Sequence, residues 1–149
     1  HHPLRFANLR AYRVLSHQHV PEVEAFLGGL GPIGRLHFVP LSAPVDRGIL
    51  AACFLRPTEP MSAEDALALL TEAYEDHPLV RVRATSPELR HVRGTALCDL
   101  SVHADGEQLV VLSALDNLGK GAAAQAGQCL NLALGLPAEL GLGAPPCLP

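Results

Sequence analysis

The chain of 149 residues has no tryptophan, a single methionine (Met61), and only four phenylalanines and two tyrosines. A core must therefore be assembled from Leu, Val and Ala rather than from rings. Basic charge is also short. Eleven Lys and Arg stand against 15 Asp and Glu, for a formal net charge of -4. That balance excludes a nucleic-acid footprint and a basic membrane-binding patch as the main business of the chain. No apolar run reaches the ~18 residues that a membrane-spanning helix needs. Lysine itself is nearly absent: of the basic residues only Lys120 is not arginine.

Cys53, Cys98, Cys129 and Cys147 form no C-x-x-C pair, which excludes a zinc knuckle or a thioredoxin-type redox site. Cys53 and Cys98 lie inside apolar runs and read as buried free thiols acting as small hydrophobes, in a reducing, cytoplasmic compartment. What remains is rich enough to fold: 48% of residues are hydrophobic and 17% charged, outside the range of intrinsic disorder. A chain of this length buries roughly 70% of the surface that its unfolded form exposes. It opens on His1-His2-Pro3 with no initiator methionine. The expectation is that it is the C-terminal part of a larger polypeptide.

Residues 9–16 read as a strand, followed by a short helix opening at Val20-Pro21-Glu22 and closing at Gly28-Gly29. Residues 35–39 and 48–55 read as strands. Ser62 caps a helix carrying Glu64 and Asp65 in its first turn, with Leu67, Leu70 and Tyr74 at helical spacing and Pro78 beyond it. Strands follow over 79–84, 94–103 and 108–115, the last two joined by a tight Asp105-Gly106 turn. On the strand over 94–103, Cys98, Leu100 and Val102 alternate with Asp99, Ser101 and His103. A last helix runs from about Lys120 to Leu134, ended by Gly135 and Pro137. The order β-α-β-β-α-β-β-β-α predicts an α+β fold: a mixed, largely antiparallel sheet with helices on one face.

Gly119-Lys120-Gly121-Ala122-Ala123-Ala124 satisfies G-x-G-x-x-A, the dinucleotide fingerprint, as a string. Its context contradicts that reading, because no strand follows the helix to complete a βαβ unit. The small residues Ala122, Ala123, Ala126 and Gly127 read instead as a face for close packing.

The most chemical stretch is Ser16-His17-Gln18-His19-Val20-Pro21-Glu22. In an extended segment His17 and His19 share a face, and Glu22 is placed to orient one imidazole by a hydrogen bond. A histidine held by a carboxylate is suited to general acid/base work. H-x-H also supplies two ligands of a zinc site, but no third ligand has fitting spacing, so no metal is expected. The bland alternative is two solvated histidines at a strand end.

Five stretches together resemble one family. Residues 10–24 are similar to its Y-x-x-x-x-H-x-H-x-P-E-(I/V) segment, with Tyr12, His17, His19, Pro21 and Glu22 in place. Arg47-Gly48-Ile49-Leu50 resembles its R-G-I-L strand, and residues 92–100, with Gly94, Cys98 and Asp99, its V-x-G-x-x-x-C-D-I block. Residues 116–126 and 131–137 complete the pattern, which covers nearly the whole chain. The family is N-acetyl-gamma-glutamyl-phosphate reductase, the NADPH-dependent acyl-phosphate reductase of arginine biosynthesis.

The resemblance implies a subunit related to glyceraldehyde-3-phosphate and aspartate-semialdehyde dehydrogenases, in which an N-terminal Rossmann domain holds NADPH and carries the catalytic cysteine. This chain resembles the C-terminal catalytic and dimerisation domain. Residues 1–118 would form that domain, and residues 119–149 a helix and tail packed on the missing Rossmann domain. The fragment alone would be inactive. The resemblance further implies His19 first and His17 second as acid/base, Asn117 beside the nicotinamide, and Lys120 and Arg47 as partners for anionic groups of cofactor and substrate. A small-molecule acyl phosphate would be the substrate, and a homodimer or homotetramer would form through the sheet. Two alternatives stay open: the lysine-pathway reductase of a carrier-bound aminoadipyl phosphate, and an oligomerisation module without chemistry.

Overall fold

The structure, a computed structural model, describes residues 7–143 and divides into two compact units with the boundary between Asp46 and Arg47. The first unit holds β1 (Arg10–Ala11), α1 (Val20–Leu30) and β2 (Leu41–Ser42). The two strands form an antiparallel ribbon in which Arg10 faces Ser42 and Ala11 faces Leu41. β1 is shorter than the predicted strand over 9–16, and β2 lies beyond the predicted strand over 35–39, which forms no strand. The chain leaves the ladder because Arg13 and Leu15 take left-handed backbone conformations, φ +45° and +56°. Pairing continues irregularly: the Tyr12 N–H donates to the Pro40 carbonyl and the Leu15 N–H to the Phe38 carbonyl, both at 3.1 Å. α1 starts where Pro21 and Glu22 predict, but it runs through Gly28 and Gly29 to Leu30. A helical glycine costs about 1 kcal/mol relative to alanine, a cost that does not by itself end a helix.

The second unit comprises β3 (Ile49–Leu55), α2 (Ala63–Ala73), β4 (Val80–Val82), β5 (Cys98–Ala104), β6 (Leu109–Leu115) and α3 (Ala124–Ala133). A single 3-10 turn lies at Leu89–His91, and a π-helical turn at Gly119–Ala123 runs directly into α3. The sheet order is β3-β6-β5-β4, with β6 antiparallel to both neighbours and β4 parallel to β5. β3 and β4 therefore run parallel at opposite edges, and the connection through α2 crosses the sheet between them. The predicted α+β architecture with a mixed sheet is what forms, in the predicted order of elements.

Local chemistry explains most of the boundaries. Ser62 accepts the Asp65 N–H at 3.0 Å and caps α2, whose Ala66 is buried. The β5–β6 hairpin turns at Asp105, whose carboxylate accepts the N–H groups of Glu107 and Gln108, with Gly106 at φ +98°. β5 begins at Cys98 rather than at residue 94. The intervening residues form a turn in which Thr95 donates its hydroxyl to the Val92 carbonyl and accepts the Leu97 N–H.

Both faces of β5 are enclosed. Leu100 is buried, and so are Asp99 and Ser101 from the polar face. Asp99 is answered by Arg81 on β4, whose Nε and Nη2 donate at 2.6 and 2.9 Å, while Nη2 also reaches the His91 carbonyl at 3.2 Å. The edge strand β3 is the opposite case, open along most of its length, with Phe54 73% and Leu50 58% exposed. The expected burial of Cys53 and Cys98 is corrected accordingly. Cys53 is exposed because β3 is an edge strand with uncovered faces, and Cys98 is half-buried with its Sγ 3.4 Å from the Ser113 hydroxyl. Cys129 is a free, exposed thiol; Cys147 lies outside the described residues.

Candidate functional site

The histidines belong to the first unit. His17 is half-buried and His19 exposed, at the residue that caps the start of α1. Their ring centroids are 4.8 Å apart. The His17 ring also lies 5.9 Å from Tyr12 and 5.1 Å from Phe38. The backbone N–H of His19 donates to Nδ1 of His17 at 3.4 Å. Between the histidines Gln18 turns outward, its carbonyl accepting Arg13 Nη1 at 2.9 Å. Two left-handed non-glycine residues ahead of the pair each cost on the order of 1 kcal/mol. Such backbone persists only where neighbours hold it, here through the bonds to Pro40 and Phe38.

Glu22 does not meet the expectation of a hydrogen bond to an imidazole. It is exposed in the first turn of α1, three residues beyond the cap, and among the described residues no hydrogen bond joins it to His17 or His19. The position suits a carboxylate reaching back to the cap's own N–H. His17 already takes that donor.

Arg47, Asn117 and Lys120 belong to the second unit, around a carboxylate that the sequence reading did not single out. Asp116, at the end of β6, is fully buried. Arg47 grips it twice: Nη2 donates to Oδ1 at 2.7 Å, and Nε lies 2.7 Å from Oδ2. The Gly94 N–H donates to Oδ2 at 2.6 Å, and the Leu118 and Gly119 N–H groups to Oδ1 at 2.8 Å each. The neighbouring Asn117 accepts the Gly48 N–H through Oδ1 at 2.7 Å. Because that partner is a donor, the atom facing it is the amide oxygen, and the Asn117 amide nitrogen carries the remaining donors. Asp116 and Asn117 thus clamp the start of β3, the Gly94 turn and the start of the last helix into one knot. Gly119 has no room for a side chain, since a Cβ there would run into the Thr95 carbonyl oxygen.

This arrangement explains why the glycine-rich string is no phosphate cradle. The Leu118 and Gly119 amide donors are spent on the Asp116 carboxylate, and the Gly121 N–H donates to the Asp116 backbone carbonyl at 2.8 Å. An internal anion occupies the position where a nucleotide phosphate would sit. Lys120 is half-buried and donates to Gln128. Burial pushes its ammonium below the ordinary lysine value, against an opposite pull from Cys98 and Cys129. On these grounds the glycine-rich string offers no backbone cradle for a nucleotide phosphate.

Burial alone would raise the Asp116 pKa, but the Arg47 guanidinium and the donors from Gly94, Gly119 and Leu118 outweigh it and hold the carboxyl well below the usual carboxylate range. A depressed folded-state value stabilises the fold above the unfolded carboxylate value of about 4. That stability is lost as pH falls through the lower, folded value. Thermal unfolding followed from pH 7 downward should show a loss of stability in acid that an Asp116→Asn variant, already lacking the charge, shows to a smaller extent.

Comparison with known proteins agrees with this architecture. A family model described as semialdehyde dehydrogenase, dimerisation domain, matches residues 1–117. The chain belongs to that family. An N-acetyl-gamma-glutamyl-phosphate reductase of Dehalococcoides mccartyi is 41% identical over 143 residues, covering 93% of this chain and 42% of the relative. The reductase of Methanoregula boonei is 39% identical over the whole chain and 45% of its own length. That of Pseudoalteromonas atlantica is 43% identical over 91% of the chain and 39% of its length. The chain thus spans less than half the length of the curated relatives it matches. Among solved structures, aspartate semialdehyde dehydrogenase II from Vibrio cholerae superposes with a TM-score of 0.54 at 23% identity, over 65% of this chain and 30% of that one, a likeness of fold. Among the described residues no helix is long and apolar enough to cross a membrane, and no group of three or more His, Cys, Asp or Glu gathers as metal ligands.

The Asp116 knot carried a local signal that sequence reading passed over. An Asp-Asn pair between a strand and a glycine-started helix is cap chemistry, where a short side-chain oxygen takes the orphan N–H groups of the first turn. Phe38 carried no such signal.

Proposed function

We propose that this chain is the C-terminal part of an NADPH-dependent acyl-phosphate reductase that converts N-acetyl-gamma-glutamyl phosphate to the semialdehyde and phosphate. The observation that carries this reading is the 39–43% identity to N-acetyl-gamma-glutamyl-phosphate reductases across nearly the whole chain. His19 is the acid/base. His19, exposed at the start of α1 and backed by a second ring, takes a proton from an attacking thiol supplied by the N-terminal part; its exposure supports this reading. As the sulfur displaces phosphate a thioester forms; His19 would then protonate the oxygen when hydride reaches the thioester carbon, and take that proton back as the carbon–sulfur bond breaks to release the semialdehyde and the thiolate. NADPH, when bound, supplies the hydride. Asn117 would offer its amide nitrogen to that group. Arg47 and Lys120 act near the anionic groups of substrate and cofactor through the structure they hold, since Arg47 is engaged with Asp116 and Lys120 with Gln128.

The open apolar face of β3 (Leu50, Phe54) is the surface through which a second copy binds, consistent with a dimerisation-domain family. The face of α3 that carries the exposed Ala126 and Leu130 is the surface for the enzyme's own N-terminal domain. In α3 Gly127 meets Leu142, while Ala126, like Ala122 and Ala123 before it, is exposed. A cytoplasmic location follows from the free thiols and the biosynthetic reaction.

The test is steady-state reduction by the full-length polypeptide with NADPH, comparing N-acetyl-gamma-glutamyl phosphate with a carrier-bound aminoadipyl phosphate. Turnover of the first and not the second is expected; the reverse selects the lysine-pathway reductase, and no turnover of either selects a module without chemistry. In solution the same polypeptide should have the mass of two or four chains.

A further inference from the structure

The sequence offers two histidines for one proton, and the geometry of the first unit separates them. His17 sits in a slot. Tyr12 and Phe38 lie against its ring on two sides and the His19 imidazole on a third, with centroids 5.9, 5.1 and 4.8 Å away. The slot is closed by backbone: the Tyr12 and Leu15 N–H groups tie the segment to Pro40 and Phe38, which is what brings the phenylalanine ring to His17. Nδ1 of His17 accepts the His19 N–H at 3.4 Å. His19 differs: it is exposed, and its backbone rather than its ring makes the bond.

We infer that His17 is a positioning residue, and that with Phe38 it fixes where the His19 imidazole points. This rests on the reading of His19 as the acid/base. The mechanism is orientation: the His17 acceptor anchors the backbone of His19, and the His17 ring limits the rotations of the His19 ring.

The experiment uses the full-length reductase and measures kcat, KM and the pH profile of kcat/KM. His17→Asn sets an amide oxygen close to where Nδ1 stands, accepting the same N–H, yet it cannot carry a proton. That variant should keep its rate within roughly tenfold of wild type, with an unchanged pH profile, because only orientation is perturbed. His17→Ala and Phe38→Ala should each lower kcat by about 10- to 100-fold, with KM little changed. Phe38→Leu replaces Phe38→Ala if the alanine variant fails to fold. A His17→Asn enzyme as inactive as His17→Ala, or one that loses a limb of the pH profile, makes His17 a proton carrier and overturns the inference alone. A His19→Ala enzyme of undiminished rate overturns the acid/base reading itself, and the inference with it.

Discussion

Replacing His19 by alanine in the full-length reductase should lower kcat by roughly 10²–10⁴-fold, the usual contribution of a positioned general acid or base. Substrate affinity should change far less, because a proton in flight is worth most in the transition state and little in the ground state. The arrangement favours this residue on physical grounds. His19 ends an irregular, strained segment and begins α1, so its backbone is fixed from both sides while its ring stays exposed to a reacting group. A rate within a factor of about three of wild type would remove His19 from the chemistry, since no general acid/base contributes so little. Glu22→Gln should have a much smaller effect, as its carboxylate touches neither imidazole.

The second large effect is expected at Asp116. Asp116→Ala removes one partner of a buried ion pair and leaves Arg47 and the N–H groups of Gly94, Leu118 and Gly119 without their acceptor. Removing one side of a buried pair costs about 3–5 kcal/mol. The lower end applies here, because the Arg47 side chain is 31% exposed and water can partly replace the carboxylate. Urea unfolding should show the loss. Faster hydrogen exchange at the Gly94, Leu118 and Gly119 amides should locate it in the knot rather than spread it through the sheet. Arg47→Leu should cost less alone. In the double variant the penalties should fall short of their sum, the sign of a direct interaction. Additive penalties would mean that the two side chains contribute independently, and that Arg47 is held for some other purpose.

Much of the fold was legible in the chain because its boundaries are local chemistry. Ser62 with Asp65 starts α2, Asp105-Gly106 turns the hairpin, and Gly135, at φ +69°, follows the last helix. Each is settled by a few neighbouring residues. Errors came where backbone conformation departs from what side-chain pattern suggests. Arg13 and Leu15 look like strand residues but bend the chain through left-handed conformations. Cys53 lies in an apolar run that reads as core, yet it stands on an edge strand. The site divided in the same way. His17 and His19 are conspicuous two residues apart, whereas Phe38, which walls His17, is an ordinary apolar residue far along the chain.

The sequence by itself determined the order of the elements, their caps and turns, and the family, since these rest on short-range spacing and on motifs. Tertiary structure alone decided that β4 joins the sheet in parallel, that β3 is left open at the edge, and that Asp99, Ser101 and Asp116 are buried polar groups with partners. The physical reason is that these outcomes depend on which distant segments pair. A carboxylate such as Asp116 reads as a solvated loop residue until Arg47, Gly94 and the start of the last helix fold around it.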